Sequence, residues 1–361
     1  MKPRNIAIAC GVAGVAVGLA AATGIVYHKQ IKSAASLKRL TDYADGYDLY
    51  AIDIAYDYDL DRIIAADVRN DQAYIDAVVA QVLPGVPAHV QAPQFACSAF
   101  AAVDAEGRVR TGRNYDFKDD TSALLVRSHP RDGYASIGFA ALNNLGNNAP
   151  LDSIAGRAAA LMGPFAQLDG VNECGVSIAV LTLDSKPCDQ DTQRPVINTS
   201  LAIRLVLDRA ATTQEAVDLL SAYDMHAMAG RDYHFFINDA ADDARVVEWD
   251  PRDPDRAFKA TPVRQVTNFY ACYADEVLPN QKNGELGHGK ERALAIADVL
   301  DAHAGAQDES VVWKALRAAA QEPNPEDITS NTQWSVVFDN SEPAAAITLR
   351  RHWGDVDAFA L

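Results

Sequence analysis

The chain has 361 residues, 49% of them hydrophobic, and a formal net charge of −17. That length and composition suffice for one large buried core or two smaller ones. The acidity, with no basic stripe interleaved with aromatics, excludes nucleic acid as a partner, because phosphate contacts need clustered Lys and Arg.

A basic leader, Met1-Lys2-Pro3-Arg4-Asn5, precedes an uncharged run from Ile6 to Tyr27. About 20 apolar residues span a bilayer, and a basic start before an apolar stretch also opens a secretory signal. Ala20-Ala21-Ala22 suits a signal peptidase, yet the apolar run continues through Ile25-Val26-Tyr27. Residues 1–27 therefore read as a signal peptide or a membrane anchor, and the protein as extracytoplasmic, membrane-anchored or secreted. Cys10 lies too early and lacks a lipobox, so no lipidation is expected.

Residues 28–41 form a polar, basic linker, and 42–61 alternate Tyr and Asp with apolar residues in a strand-like pattern. From Asp67 to Leu83 the spacing predicts a helix with Tyr74, Ile75, Val78, Val79 and Val82 on one side, ended by Pro84-Gly85-Val86-Pro87. Pro93-Gln94-Phe95-Ala96 then leads into Cys97. We read 28–96 as a linker and pro-segment packed on a catalytic domain, 97–361, and not as an independent domain.

Two apolar runs, from Cys97 and from Val109, flank Asp104-Ala105-Glu106-Gly107-Arg108, which predicts a β-hairpin. Folding it brings residues near 114 opposite residues near 97, so Arg113 and Asp116 return to the Cys97 thiol. A thiol with a cation and a carboxylate close by has the parts of an activated nucleophile. The plainer alternative is a small apolar cysteine in a hairpin core beside a surface ion pair. Further strands are expected at 176–183, 233–238, 244–249, 264–270, 334–339 and 344–350. Helices are expected at 199–210, at 213–222 after a Thr212-x-x-Glu215 capping box, at 290–303 and at 309–321. Strand runs with paired helices suggest two antiparallel sheets face to face with helices outside, although periodicity alone supports only α+β.

The five cysteines show no dense disulfide framework and no metal-ligand spacing, and His234, within a strand run, reads as a packed core residue. No metal or other cofactor is expected.

Cys-Ser-x-Phe, a short hairpin, then Gly112-Arg113-Asn114-Tyr115-Asp116-Phe117 resembles the start of the choloylglycine hydrolase family. That family holds bile salt hydrolases, penicillin V acylases and related linear amide C–N hydrolases with N-terminal nucleophiles (Ntn). More distantly the chain is similar to the acid ceramidase and N-acylethanolamine amidase group. The match continues through Asp169-Gly170-Val171-Asn172-Glu173-Cys174-Gly175, Tyr233-His234-Phe235-Phe236, Val266-Thr267-Asn268-Phe269 and Lys290-Glu291-Arg292. It ends in Gln333-Trp334-Ser335-Val336.

The resemblance implies a four-layer αββα sandwich and self-cleavage between Ala96 and Cys97, leaving the Cys97 α-amine as general base. It implies that Cys97 is the nucleophile, that Arg113 favours the thiolate, and that Asp116 holds the α-amine. Asn172 and Asn268 would serve the oxyanion, and Arg292 would support the site. Standing alone, Asn172 is equally a turn former, Asn268 a strand end and Arg292 a solvated helix face. The expected substrate is a small N-acyl amide with an aliphatic or aromatic acyl group. Bile salts are disfavoured because their hydrolases begin at the nucleophile, whereas here an export segment and a long pro-segment precede it. The alternatives are a bile salt hydrolase or penicillin acylase, acyl transfer of the isopenicillin N acyltransferase type, and an inactive, membrane-tethered binding module. Membrane contact would run through the N-terminal segment before maturation, and homo-oligomers are in keeping with the family.

Overall fold

The computed structural model describes residues 27–84, 96–146, 151, 153–280, 286–324 and 331–361. Residues 1–26 of the expected signal or anchor, with Cys10, lie outside these, as do Gly85-Val86-Pro87 and Pro93-Gln94-Phe95. No helix among the described residues is long and apolar enough to cross a membrane.

The hairpin forms as its turn chemistry predicts. Strands Ala96–Val103 and Val109–Asp116 pair antiparallel, with Cys97 opposite Tyr115 and Ala99 opposite Arg113. Asp104 closes the turn by accepting from the backbone N–H of Glu106 (3.1 Å) and Arg108 (2.8 Å), while Gly107 takes a φ of 82°. This hairpin belongs to a six-stranded antiparallel sheet, in which Val109–Asp116 pairs next with Thr332–Asp339, followed by Ala344–Leu349 and Asp357–Ala360.

A nine-stranded sheet packs against it, the strand Ser177–Leu183 touching Ala96–Val103. Its order is Lys38–Arg39, Leu49–Ile54, Ala123–Ser128, Ser136–Ala141, Gln167–Asn172, Ser177–Leu183, Asp232–Asn238, Arg245–Trp249 and Phe258–Pro262. Every pairing is antiparallel except Leu49–Ile54 with Ala123–Ser128, which is parallel. Helices Thr199–Arg209 and Thr213–Ser221 pack on the nine-stranded sheet, and Lys290–Ala302 and Glu309–Ala319 on the six-stranded one. The helix starts are set by side chains: Asn198, Thr212 and Asp308 each accept from the N–H three residues on. Glu215 reaches back to the N–H of Ala211, one residue before the cap (2.8 Å), so the predicted capping box closes one position early.

Three expectations change. Residues 118–150, where no strand is expected, contain strands Ala123–Ser128 and Ser136–Ala141, and Leu124, Leu125, Phe139 and Leu142 are wholly buried core. The strand expected at 264–270 is broken at Thr267: Gln265–Val266 joins the six-stranded sheet, while Asn268–Phe269 pairs separately with Gly287–His288. The strand pattern of 42–61 condenses to Leu49–Ile54, because Asp59 caps a short helix, Leu60–Ile64.

Candidate active site

The Cys97 thiol is fully buried at the start of its strand, and the fold brings four of the five other predicted residues, Arg113, Asp116, Asn268 and Arg292, around it. Arg113 donates through Nη2 to Cys97 Sγ (3.2 Å) and to the Val180 carbonyl (3.2 Å). Its Nε faces Asp169 Oδ2 at 3.1 Å, with both side chains wholly buried. The Tyr115 and Trp334 rings flank the guanidinium at 5.0 and 5.7 Å, and the Trp334 indole N–H donates to Asp169 Oδ2 (3.2 Å). Arg113 is therefore aimed at the sulfur by a buried partner, which neutralises its charge behind the site.

The backbone of Cys97 is held from the other side. Its N–H donates to Asn268 Oδ1 (2.9 Å), and its carbonyl accepts from Arg292 Nη1 (2.6 Å). Arg292 Nη2 also donates to Asn268 Oδ1 (2.7 Å), and Asn268 Nδ2 donates to the Thr182 carbonyl (2.7 Å). One amide hydrogen of Asn268 thus has a structural partner, leaving a second to donate. Arg292, which a solvated helix face would have explained equally well in sequence, closes this ring.

Asp116 is buried and occupied: Thr332 Oγ1 donates to Oδ1 (2.6 Å), while Gln321 Nε2 (2.8 Å) and Arg292 Nη1 (3.3 Å) donate to Oδ2. The Cys97 N–H donates to Asn268 and not to Asp116.

Asn172 is the exception. Both hydrogens of its amide are committed, to the Leu207 (3.1 Å) and Ala210 (2.7 Å) carbonyls, and its oxygen accepts from the N–H of Cys174 and Val176. It ties a turn to the end of helix Thr199–Arg209 and has no donor left for an oxyanion. The expected oxyanion role of its side chain is corrected accordingly.

Burial pushes the Cys97 thiol up to about 12, with the Arg113 guanidinium pulling the other way. Burial likewise raises Asp116 against the pull of Arg292, and raises Asp169 to about 6 against that of Arg113. Sequence reasoning missed Asp169, Gln321 and Thr332. For Asp169 a signal existed: a carboxylate in a strand run bound for the core requires a buried cation. The four cysteines among the described residues, Cys97, Cys174, Cys188 and Cys272, are free thiols.

Residues 103–352, more than half of the chain and starting just past Cys97, match the model of the acyl-coenzyme A:6-aminopenicillanic acid acyl-transferase family. The chain belongs to that family. The resemblance to the choloylglycine hydrolase and penicillin acylase group stands with it. No functionally curated protein matches the sequence. Among solved structures, this family member is similar to a conjugated bile acid hydrolase from Clostridium perfringens. The TM-score is 0.57 at 14% identity, over 73% of this chain and 92% of that one. It is also similar to a penicillin V acylase from Agrobacterium tumefaciens, with a TM-score of 0.53 at 20% identity over 70% and 83% of the two chains. At such identities the likeness establishes the fold, a mixed α+β architecture of antiparallel sheets.

Proposed function

We propose that this protein is a cysteine Ntn hydrolase of small N-acyl amides, made active by a cut before Cys97. The observation that carries the reading is the frame around that one residue: Arg113 on its sulfur, Asn268 on its nitrogen and Arg292 on its carbonyl.

In the uncut chain the thiol is protonated and closed to solvent. In the cut itself, sulfur adds to the Ala96 carbonyl carbon, the C–N bond breaks as nitrogen takes the thiol proton, and water hydrolyses the thioester. The products are a carboxylate at Ala96 and a free α-amine on Cys97. An α-amine, with an ordinary pKa of about 7.7–8.0, serves as a base beside the thiol. In turnover the amine takes the sulfur proton, the thiolate attacks the substrate amide carbon, and the ammonium protonates the departing amine. Water, relieved of a proton by the same amine, then hydrolyses the acyl-enzyme. Asn268 keeps one amide hydrogen for the oxyanion, and Asn268 Oδ1 and Arg292 fix the nitrogen and carbonyl of Cys97. Asp116 holds Arg292, and the paired Arg113 stabilises the thiolate.

Acyl transfer to an amine is the second reading, and the name of the matching family model favours it. The two share every step up to the acyl-enzyme. Turnover of N-acyl-4-nitroanilides by the wild type, absent in Cys97→Ala, tests the shared chemistry. Free carboxylic acid as the sole product with an added primary amine supports hydrolysis, whereas a new amide supports transfer. Undiminished turnover by Cys97→Ala would remove Cys97 from the reaction.

A further inference from the structure

The chain breaks its strand at Thr267 and delivers Asn268 to Cys97, and two buried residues outside the site hold that break. His234 lies on the strand Asp232–Asn238, and Glu248 on its neighbour Arg245–Trp249. These strands pair Phe235 with Val247, and the antiparallel register continued by one step sets His234 opposite Glu248. Both side chains are wholly buried, and His234 Nδ1 stands 3.2 Å from Glu248 Oε2.

The remaining polar contacts of the pair reach the segment that carries Asn268. His234 Nε2 lies 3.0 Å from the Thr267 carbonyl oxygen. Glu248 Oε2 accepts from the N–H of Ala271 (2.9 Å), and Oε1 from the N–H of Cys272 (2.6 Å). The pair therefore grips the backbone on both sides of Asn268. One proton between Glu248 and Nδ1 and another on Nε2 complete this chain, because a carbonyl oxygen only accepts. Neither ring nitrogen is left for chemistry at the thiol. A buried acid is costly unless hydrogen bonds match it, and here they come from the segment that delivers Asn268.

That segment has further anchors past Asn268. Tyr270 Oη donates to Asp232, and Tyr273 Oη to Asp250 Oδ1 (2.6 Å). Loss of the His234 ring nitrogens therefore frees Thr267 and Asn268 without releasing the whole segment.

We propose that His234 and Glu248 are positioning residues for Asn268, fixing the backbone around it so that its amide meets the Cys97 nitrogen and the oxyanion. This rests on the reading of Asn268 as an oxyanion donor in amide chemistry at Cys97.

The test is a double-mutant cycle on the full chain, with an N-acyl-4-nitroanilide as substrate and intact mass giving the fraction cut before Cys97. His234→Phe keeps a planar ring but removes both nitrogens. It should lower kcat per cut chain by about 10²-fold, the cost of a misplacement near 1 Å, and leave KM within about 2-fold. His234→Gln, whose amide restores a donor near the place of Nε2, should recover most of that loss. On the Asn268→Ala background His234→Phe should cost less than about 3-fold, because the group it positions is already gone. A loss of equal size on both backgrounds would overturn the proposal, as would an unchanged kcat in folded His234→Phe. Where His234→Phe alone does not fold, His234→Phe with Glu248→Gln takes its place, since that pair buries no unmatched charge. A wild type that turns over no anilide, or a Cys97→Ala variant as fast as the wild type, would instead overturn the reading of the site beneath it.

Discussion

At the scale of single residues, the two asparagines carry opposite expectations. Asn268→Ala removes the amide that holds the Cys97 nitrogen and keeps a hydrogen for the oxyanion, so kcat should fall by about 10²–10³ with the fold retained. Asn172→Ala strands the Leu207 and Ala210 carbonyls, so it should lower stability by about 1–3 kcal/mol while the folded fraction turns over normally. Denaturation midpoints and kcat measured on both variants check this. Asp169 adds a pH signature. Burial lifts its folded pKa to about 6, above the ordinary carboxylate value, so the folded chain binds that proton more tightly than the unfolded chain does. Its contribution to stability is present below about pH 4 and lost as pH rises through about 6. Relative to Asp169→Asn, which has no proton to lose, the wild type should therefore lose stability between pH 4 and 6.5. Urea midpoints of the two proteins across that range measure it, and parallel profiles would count against the assignment. That Arg113 and Asp116 return beside Cys97 was legible because a hairpin's turn sets its register. Asn172 misled because a turn amide reads the same in sequence whichever way its donors point.

At the scale of elements, the site depends on backbone that approaches closely. Gly289 stands before helix Lys290–Ala302 with a φ of 89°, and a Cβ there would lie 2.5 Å from Arg292 Nη2 and 2.7 Å from Thr267 Oγ1. Gly289→Ala should push the guanidinium off the Cys97 carbonyl and lower kcat by up to about 10²-fold, the cost of a misplacement near 1 Å. Kinetics beside a melting curve separate that from simple unfolding. Helices with caps, and strands that alternate, were readable in the sequence. Ala123–Ser128 and Ser136–Ala141 were not: they are buried on both faces, and such a strand loses the polar–apolar alternation that marks one. Thr267 escaped for a different reason. A strand that changes partner mid-run keeps its apolar pattern, and only tertiary contacts show the break that delivers Asn268 to Cys97.

At the scale of the whole molecule, the chain joins two folding partners through the peptide bond that its chemistry would cut. Residues 28–96 are expected to pack on the rest because so short a segment lacks a core of its own. That Leu49–Ile54 enters the large sheet as its one parallel pairing was beyond reach, because strand partners far apart in sequence leave no local signal. The most direct test is the intact mass and N-terminal sequence of the purified protein, beside Cys97→Ala. We predict a new N-terminus at Cys97 in the wild type and none in the variant. A wild-type chain that hydrolyses N-acyl amides while wholly uncut would contradict the account.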